Sequence, residues 1–124
     1  MEKYCLTYFL VKFDSNNFDM LEFSKVLDLD YQILERFGTE STIEIGRNEF
    51  YNDDINVMVR TSLKDLFGKE DKLLYLKNKY KLEYVLERVP LILDNQNMPK
   101  LSLDDDIIEF LYKTKTKDDL DYFL

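Results

Sequence analysis

The ten residues YCLTYFLVKF at 4–13 restrict the fold more than any other part of the chain. They are rich in aromatic and β-branched side chains and run into the polar cluster DSNN, which predicts a strand closed by a turn. Both alternating faces of that strand are apolar, so it belongs at the centre of a sheet rather than at an edge. A chain of 124 residues, 45% hydrophobic and 15% aromatic, can bury one core around such a strand. The expectation is a single globular α+β domain over residues 1–124. It consists of a mostly antiparallel sheet of about four to five strands with two to three helices packed on it.

The remaining elements follow from periodicity and punctuation. Met20, Phe23 and Leu27 recur at helical spacing behind the cap candidates Asp14 and Asn17. Residues 28–41 read mainly as a loop around Gly38. Residues 41–62 predict two extended pieces forming a hairpin, in which Ile55, Val57 and Val59 alternate with Asn56, Met58 and Arg60. A helical region then starts near the cap candidate Ser62, breaks at Gly68 and carries the stripe Leu73, Leu76 and Tyr80. Residues 82–93 are a strand in which Pro90 cannot donate a ladder hydrogen bond, so an edge or a bulge is expected there. DNQNMP closes it with a turn.

What the chain lacks excludes whole classes of chemistry. It has no histidine, so histidine-based nucleophile activation, imidazole acid/base pairs and histidine metal sites are impossible. Its three glycines form no phosphate-cradling motif. The formal net charge of −8 opposes direct binding of nucleic acid, whose affinity rests on cationic side chains. The single cysteine, Cys5, lies in an apolar run and reads as a small buried hydrophobe in a reducing compartment. No apolar run reaches the roughly 20 residues of a membrane span, and the N-terminus has no basic leader, so a cytoplasmic protein without membrane contact is expected.

The last 26 residues, PKLSLDDDIIEFLYKTKTKDDLDYFL, concentrate aspartates. Ser102 with Asp105 resembles a capping box, and residues 104–106 put negative charge where a helix N-terminus favours it. Leu103, Ile107, Phe110 and Leu111 form the stripe of that helix. In DDLDYFL, Leu120, Tyr122 and Leu124 alternate with Asp119, Asp121 and Phe123, as in a strand. DDDIIE has neither the spacing nor the glycine of a calcium loop, so no metal and no cofactor are expected.

The order of elements, with LKNKYKLEY running into a strand, then LSLDDDIIEFLYK and a closing DDLDYFL, resembles the bacterial domain of unknown function 4279 over nearly the whole chain. The likeness implies an α+β sandwich of sheet and helices and supplies no catalytic position. The chain departs from that pattern in having no tryptophan in its middle strand and in carrying KTKTK where a small-residue turn is usual.

A small acidic domain without catalytic groups suits a non-enzymatic interaction protein that blocks a basic protein partner. Such a partner is a toxin, a nuclease or another effector, and the chain would act like an immunity protein or a mobile-element inhibitor of a nucleic-acid enzyme. The candidate contact residues are Tyr51, Asp53, Asp54, Asp104, Asp105, Asp119, Asp121 and Tyr122. Two other roles compete with this one: a self-associating homodimeric or adaptor module paired through an open sheet edge, and an enzyme working with a carboxylate pair about 5 to 9 Å apart.

Overall fold

The computed structural model describes residues 3–14, 16–30, 35–36, 41–49, 54–92 and 101–121. Its elements in chain order are β1 (Lys3–Lys12), α1 (Met20–Val26), β2 (Glu35–Arg36), β3 (Thr42–Asn48), α2 (Ile55–Leu63), α3 (Glu70–Tyr80), β4 (Glu83–Ile92), α4 (Asp105–Lys113) and β5 (Lys117–Leu120). The five strands form one sheet in the order β2-β3-β1-β4-β5. As its apolar run requires, β1 is the middle strand, antiparallel to β3 on one side and to β4 on the other.

All four helices pack on the same face. Cys5, Phe9 and Val11 of β1, Ile43 and Ile45 of β3, and Tyr84 and Leu86 of β4 point into one buried cluster. Phe23, Met58, Leu63, Leu73, Leu76, Ile107 and Phe110 reach it from the helices. Its polar groups are satisfied within it: the Tyr84 hydroxyl donates to the Leu73 carbonyl at 2.7 Å, and the Thr7 and Ser62 hydroxyls share a hydrogen bond of 2.7 Å. Cys5 is buried here, and burial pushes its thiol up to about 11, far from reactive at neutral pH.

Several elements differ from the sequence expectation. The second arm of the expected hairpin is helix α2, started by Asp54, whose Oδ1 accepts from the Asn56 N–H at 2.9 Å. Of its six buried residues, Ile55, Met58, Val59, Ser62 and Leu63 follow the helical period beside the buried Asn56, and Val57 is exposed. Ser62 therefore lies inside a helix and caps nothing, and α3 starts separately after a turn at residues 64–68. Helix α1 is capped by Asp19, while Asp14 holds the preceding turn through the Asn16 N–H. Helix α4 has Asp104 as its N-cap residue, which leaves Ser102 outside it and no capping box at its start. The stretch read as loop contains β2, and Gly38 lies outside the described residues.

The α+β class and the mostly antiparallel five-stranded sheet are as expected, but four helices rather than two to three pack on it and one strand pair is parallel, which makes the sheet mixed. β5 runs parallel to β4, from Val85 opposite Lys117 to Arg88 opposite Leu120. A parallel neighbour needs a crossover of a dozen or more residues, and the connection through α4 supplies it. Pro90 falls beyond Arg88, where β4 is no longer paired by β5, so its missing N–H interrupts no ladder on that side. The expected turn at DNQNMP lies outside the described residues.

Candidate functional site

Among the described residues, no helix covers the second face of the sheet. The even positions of β1 put Leu6, Tyr8 and Leu10 there, all only partly buried, next to Lys12. β4 adds Glu83, Val85, Glu87 and Val89, and the registers set Leu6 opposite Val89, Tyr8 opposite Glu87 and Leu10 opposite Val85. Glu44 of β3 lies opposite Leu10, and Asp119 of β5 lies opposite Glu87.

A bulge shapes the β3 side of this surface. Thr7 pairs with Asn48 and Phe9 with Ile45, so β3 contains one residue more than β1 in that interval. Gly46 absorbs it with φ +71°, and a Cβ there would lie 2.0 Å from the Ser62 carbonyl oxygen of α2. Arg47 follows, with its guanidinium 5.5 Å from the centre of the Tyr8 ring. Its Nη1 donates to Glu44 Oε1 at 2.8 Å and its Nε to Glu49 Oε1 at 3.0 Å.

The result is a row of side chains across four strands: Arg47, Tyr8, Glu87 and Asp119. Burial pushes the Glu87 carboxyl up to about 7, and the hydrogen bond it shares with the Asp119 carboxyl pushes it the same way. Lys12 opposes this rise, whereas Asp121 adds to it. The Tyr8 phenol is also raised, first by burial and then by Glu44 and Glu87. Glu87 thus holds a raised carboxyl beside Asp119 and next to the apolar side chains of the strands. The two carboxyls touch, which is closer than the roughly 5 to 9 Å between the acids of a glycosidase.

The candidate residues read from the sequence separate into two groups. Asp119 is half-buried on the face opposite the described helices, and Asp121 is exposed just beyond β5, its N–H donating to the Arg88 carbonyl at 2.9 Å. Asp54 and Asp104 lie on the helical side and are bridged by Asn56, whose Nδ2 donates to Asp54 Oδ1 at 3.2 Å and whose Oδ1 accepts the Asp104 N–H at 2.7 Å. Arg60 binds Asp106 through two hydrogen bonds of 2.6 and 2.7 Å and Asp104 through one of 2.9 Å. The acids at the start of α4 thus neutralise a cation of the same chain. Asp105 is exposed in the first turn of α4. Tyr51, Asp53 and Tyr122 lie outside the described residues.

Glu87, Tyr8 and Glu44 were not among the candidates, because each is hidden in a run that reads simply as strand. A glutamate at the phase of Val85 and Val89 was the available signal. Among the described residues, no group of three or more His, Cys, Asp or Glu side chains is arranged to hold a metal ion. No described helix is long and apolar enough to cross a membrane. No family model, no curated protein and no solved structure matches the chain.

Proposed function

We propose that this chain is a small cytoplasmic interaction protein that binds a basic protein partner, a toxin, nuclease or other effector, through the sheet face that no described helix covers, around its partly exposed residues Leu6, Tyr8 and Leu10. The reading rests on one observation above all: partly exposed Leu6, Tyr8 and Leu10 lie between the carboxylates of Glu44, Glu87 and Asp119. An apolar centre bordered by polar groups is the anatomy of a protein interface, and tyrosine is among the residues that dominate binding energy. A partner cation placed between Glu87 and Asp119 relieves the repulsion between the two neighbouring carboxyls. The chain then blocks the partner's functional surface by steric and electrostatic occlusion, with no bond made or broken. The net charge of −8 supplies the long-range attraction to a basic target. The similarity to domain 4279 enters this proposal as a likeness of fold and assigns no residue a role.

The test compares affinity capture from native lysate by the wild-type chain with capture by a folded Tyr8→Ala, Glu87→Gln, Asp119→Asn variant. The expected result is a basic protein retained only by the wild type and released as salt rises. The same prey on both baits, or a complex indifferent to salt, rejects this sheet face as the docking surface.

A further inference from the structure

A second surface lies at the free edge of the sheet, apart from the face just described. There α4, the turn at residues 114–116 and β5 border a groove of about 610 Å³, lined by Ile108, Leu111, Tyr112, Lys115, Thr116 and Asp118, with Lys113 at its side. Its apolar wall is open to solvent: Ile108 is 50% and Tyr112 84% exposed, one turn apart on α4. Exposure of that size on a helix whose other face is fully packed leaves a large apolar surface without a neighbour.

The strand beside the groove has an edge that no described strand pairs. Among the described residues, β4 alone pairs with β5. The Asp121 N–H donates to the Arg88 carbonyl, so the main-chain groups of residues 117, 119 and 121 face β4. By alternation, those of Asp118 and Leu120 point away from it. Asp118 also lines the groove, so the open hydrogen-bonding edge and the apolar wall meet at one place.

We propose that β5 accepts an extended segment of a partner protein as a further strand, whose alternate apolar side chains fill the groove against Ile108 and Tyr112. This is strand addition, in which the main chain supplies affinity and the groove supplies selectivity. Local charge specifies the segment further. In a chain of net charge −8, this end carries Lys77, Lys113, Lys115 and Lys117. Lys113 is already paired with Glu109, while the Lys77 ammonium donates to the Lys115 carbonyl and brings a second cation to the same turn. The segment therefore bears an acidic side chain where it passes Lys115. A second copy of β5 is the competing occupant: antiparallel self-pairing sets outward-facing residues opposite one another, and in the register that puts Asp118 against its own copy the directly opposed like charges are destabilising.

The test uses a fluorescein-labelled peptide of alternating valine and threonine with two glutamates at one end, titrated against the full chain by anisotropy. Saturable binding is expected, with amide shift changes confined to α4 and β5. N-methylation of alternate peptide amides should abolish binding, since it removes the donors that an added strand needs. Replacing the glutamates by lysines, or Ile108→Glu in the protein, should weaken binding by about ten-fold. Ile108 is exposed, so this variant keeps the core intact. The proposal is overturned if the N-methylated peptide binds equally well, if the shifts map to Leu6, Tyr8 and Leu10, or if no peptide saturates at millimolar concentration. Concentration-dependent dimerisation through β5 in the absence of peptide also overturns it, in favour of a second copy as the occupant.

Discussion

A glutamate on a sheet surface is ordinarily charged and solvated, but Glu87 lies between Tyr8 on one side and Asp119 on the other, with Lys12 as the opposing cation. Its carboxyl is raised from 4.5 to about 7. Below pH 4.5 the folded and unfolded chains both hold the proton, and the stabilisation from the shared hydrogen bond is fully present. Between 4.5 and about 7 only the folded chain holds it, so stability falls as pH rises through this window and then levels off. Glu87→Gln keeps a donor toward Asp119 and removes the charge. It should raise stability at pH 8 by on the order of 1 kcal/mol, solvent screening keeping the gain small, and should flatten the slope between pH 5 and 7. Urea melts of the two proteins across that range provide the check, and parallel curves would show that Glu87 ionises normally. Gly46 carries a different constraint. Its φ of +71° and the 2.0 Å approach of the Ser62 carbonyl exclude any side chain. Gly46→Ala should cost about 2 kcal/mol or more in a urea melt, and more than Gly68→Ala, where the positive φ of +84° costs about 1 kcal/mol but an added Cβ meets nothing within 4 Å.

At the scale of elements, β5 depends on one residue. Arg88, 5% exposed, donates from Nε and Nη2 to the Asp118 carboxylate at 2.8 and 2.6 Å, and from Nη1 to the Leu101 carbonyl at 2.7 Å. It ties the four-residue strand and the approach to α4 onto β4. Arg88→Met should cost about 2 to 3 kcal/mol, less than a fully buried pair because Asp118 is partly exposed. Native-state hydrogen exchange should show residues 117–120 losing protection before β1 does, and uniform loss across the sheet would contradict a local role. β1 was legible because its apolar run fills both faces between polar residues, and the stripes of α3 and α4 because each buries side chains at a single clear period. α2 was not, since Ile55, Val57 and Val59 satisfy a period of two while Ile55, Met58, Val59, Ser62 and Leu63 satisfy a helical one. The helix prevails because Asp54 caps it and the bulge at Gly46 lets it approach β3. Alternation at the C-terminus pointed to a strand but not to its direction, which the crossover through α4 determines. The site was half legible for the same reason: Asp119 stands out locally, whereas its pairing with Glu87 and Tyr8 exists only once three strands are in register.

For the whole molecule, charge and apolar surface would contribute to different steps of the proposed binding. In the proposed complex a net charge of −8 acts beyond contact distance and accelerates encounter with a basic partner, an effect that salt screens over a Debye length of about 8 Å at physiological ionic strength. Leu6, Tyr8 and Leu10 act only after water has left the interface, and their loss is felt in dissociation. The Arg60 cluster at the start of α4 spends Asp104 and Asp106 on an internal cation, so these acids add little to local attraction. Stopped-flow association of the captured partner should therefore slow by about ten-fold or more between low and physiological salt, while its dissociation rate stays nearly constant. Tyr8→Ala should invert that pattern, leaving association within about two-fold of wild type and speeding dissociation by roughly ten-fold or more. Asp104→Asn, by contrast, should leave both rates close to those of the wild type. If Asp104→Asn slowed association as much as Asp119→Asn does, the docking surface would lie on the helical side, and the sheet face around Tyr8 would lose its claim to the partner.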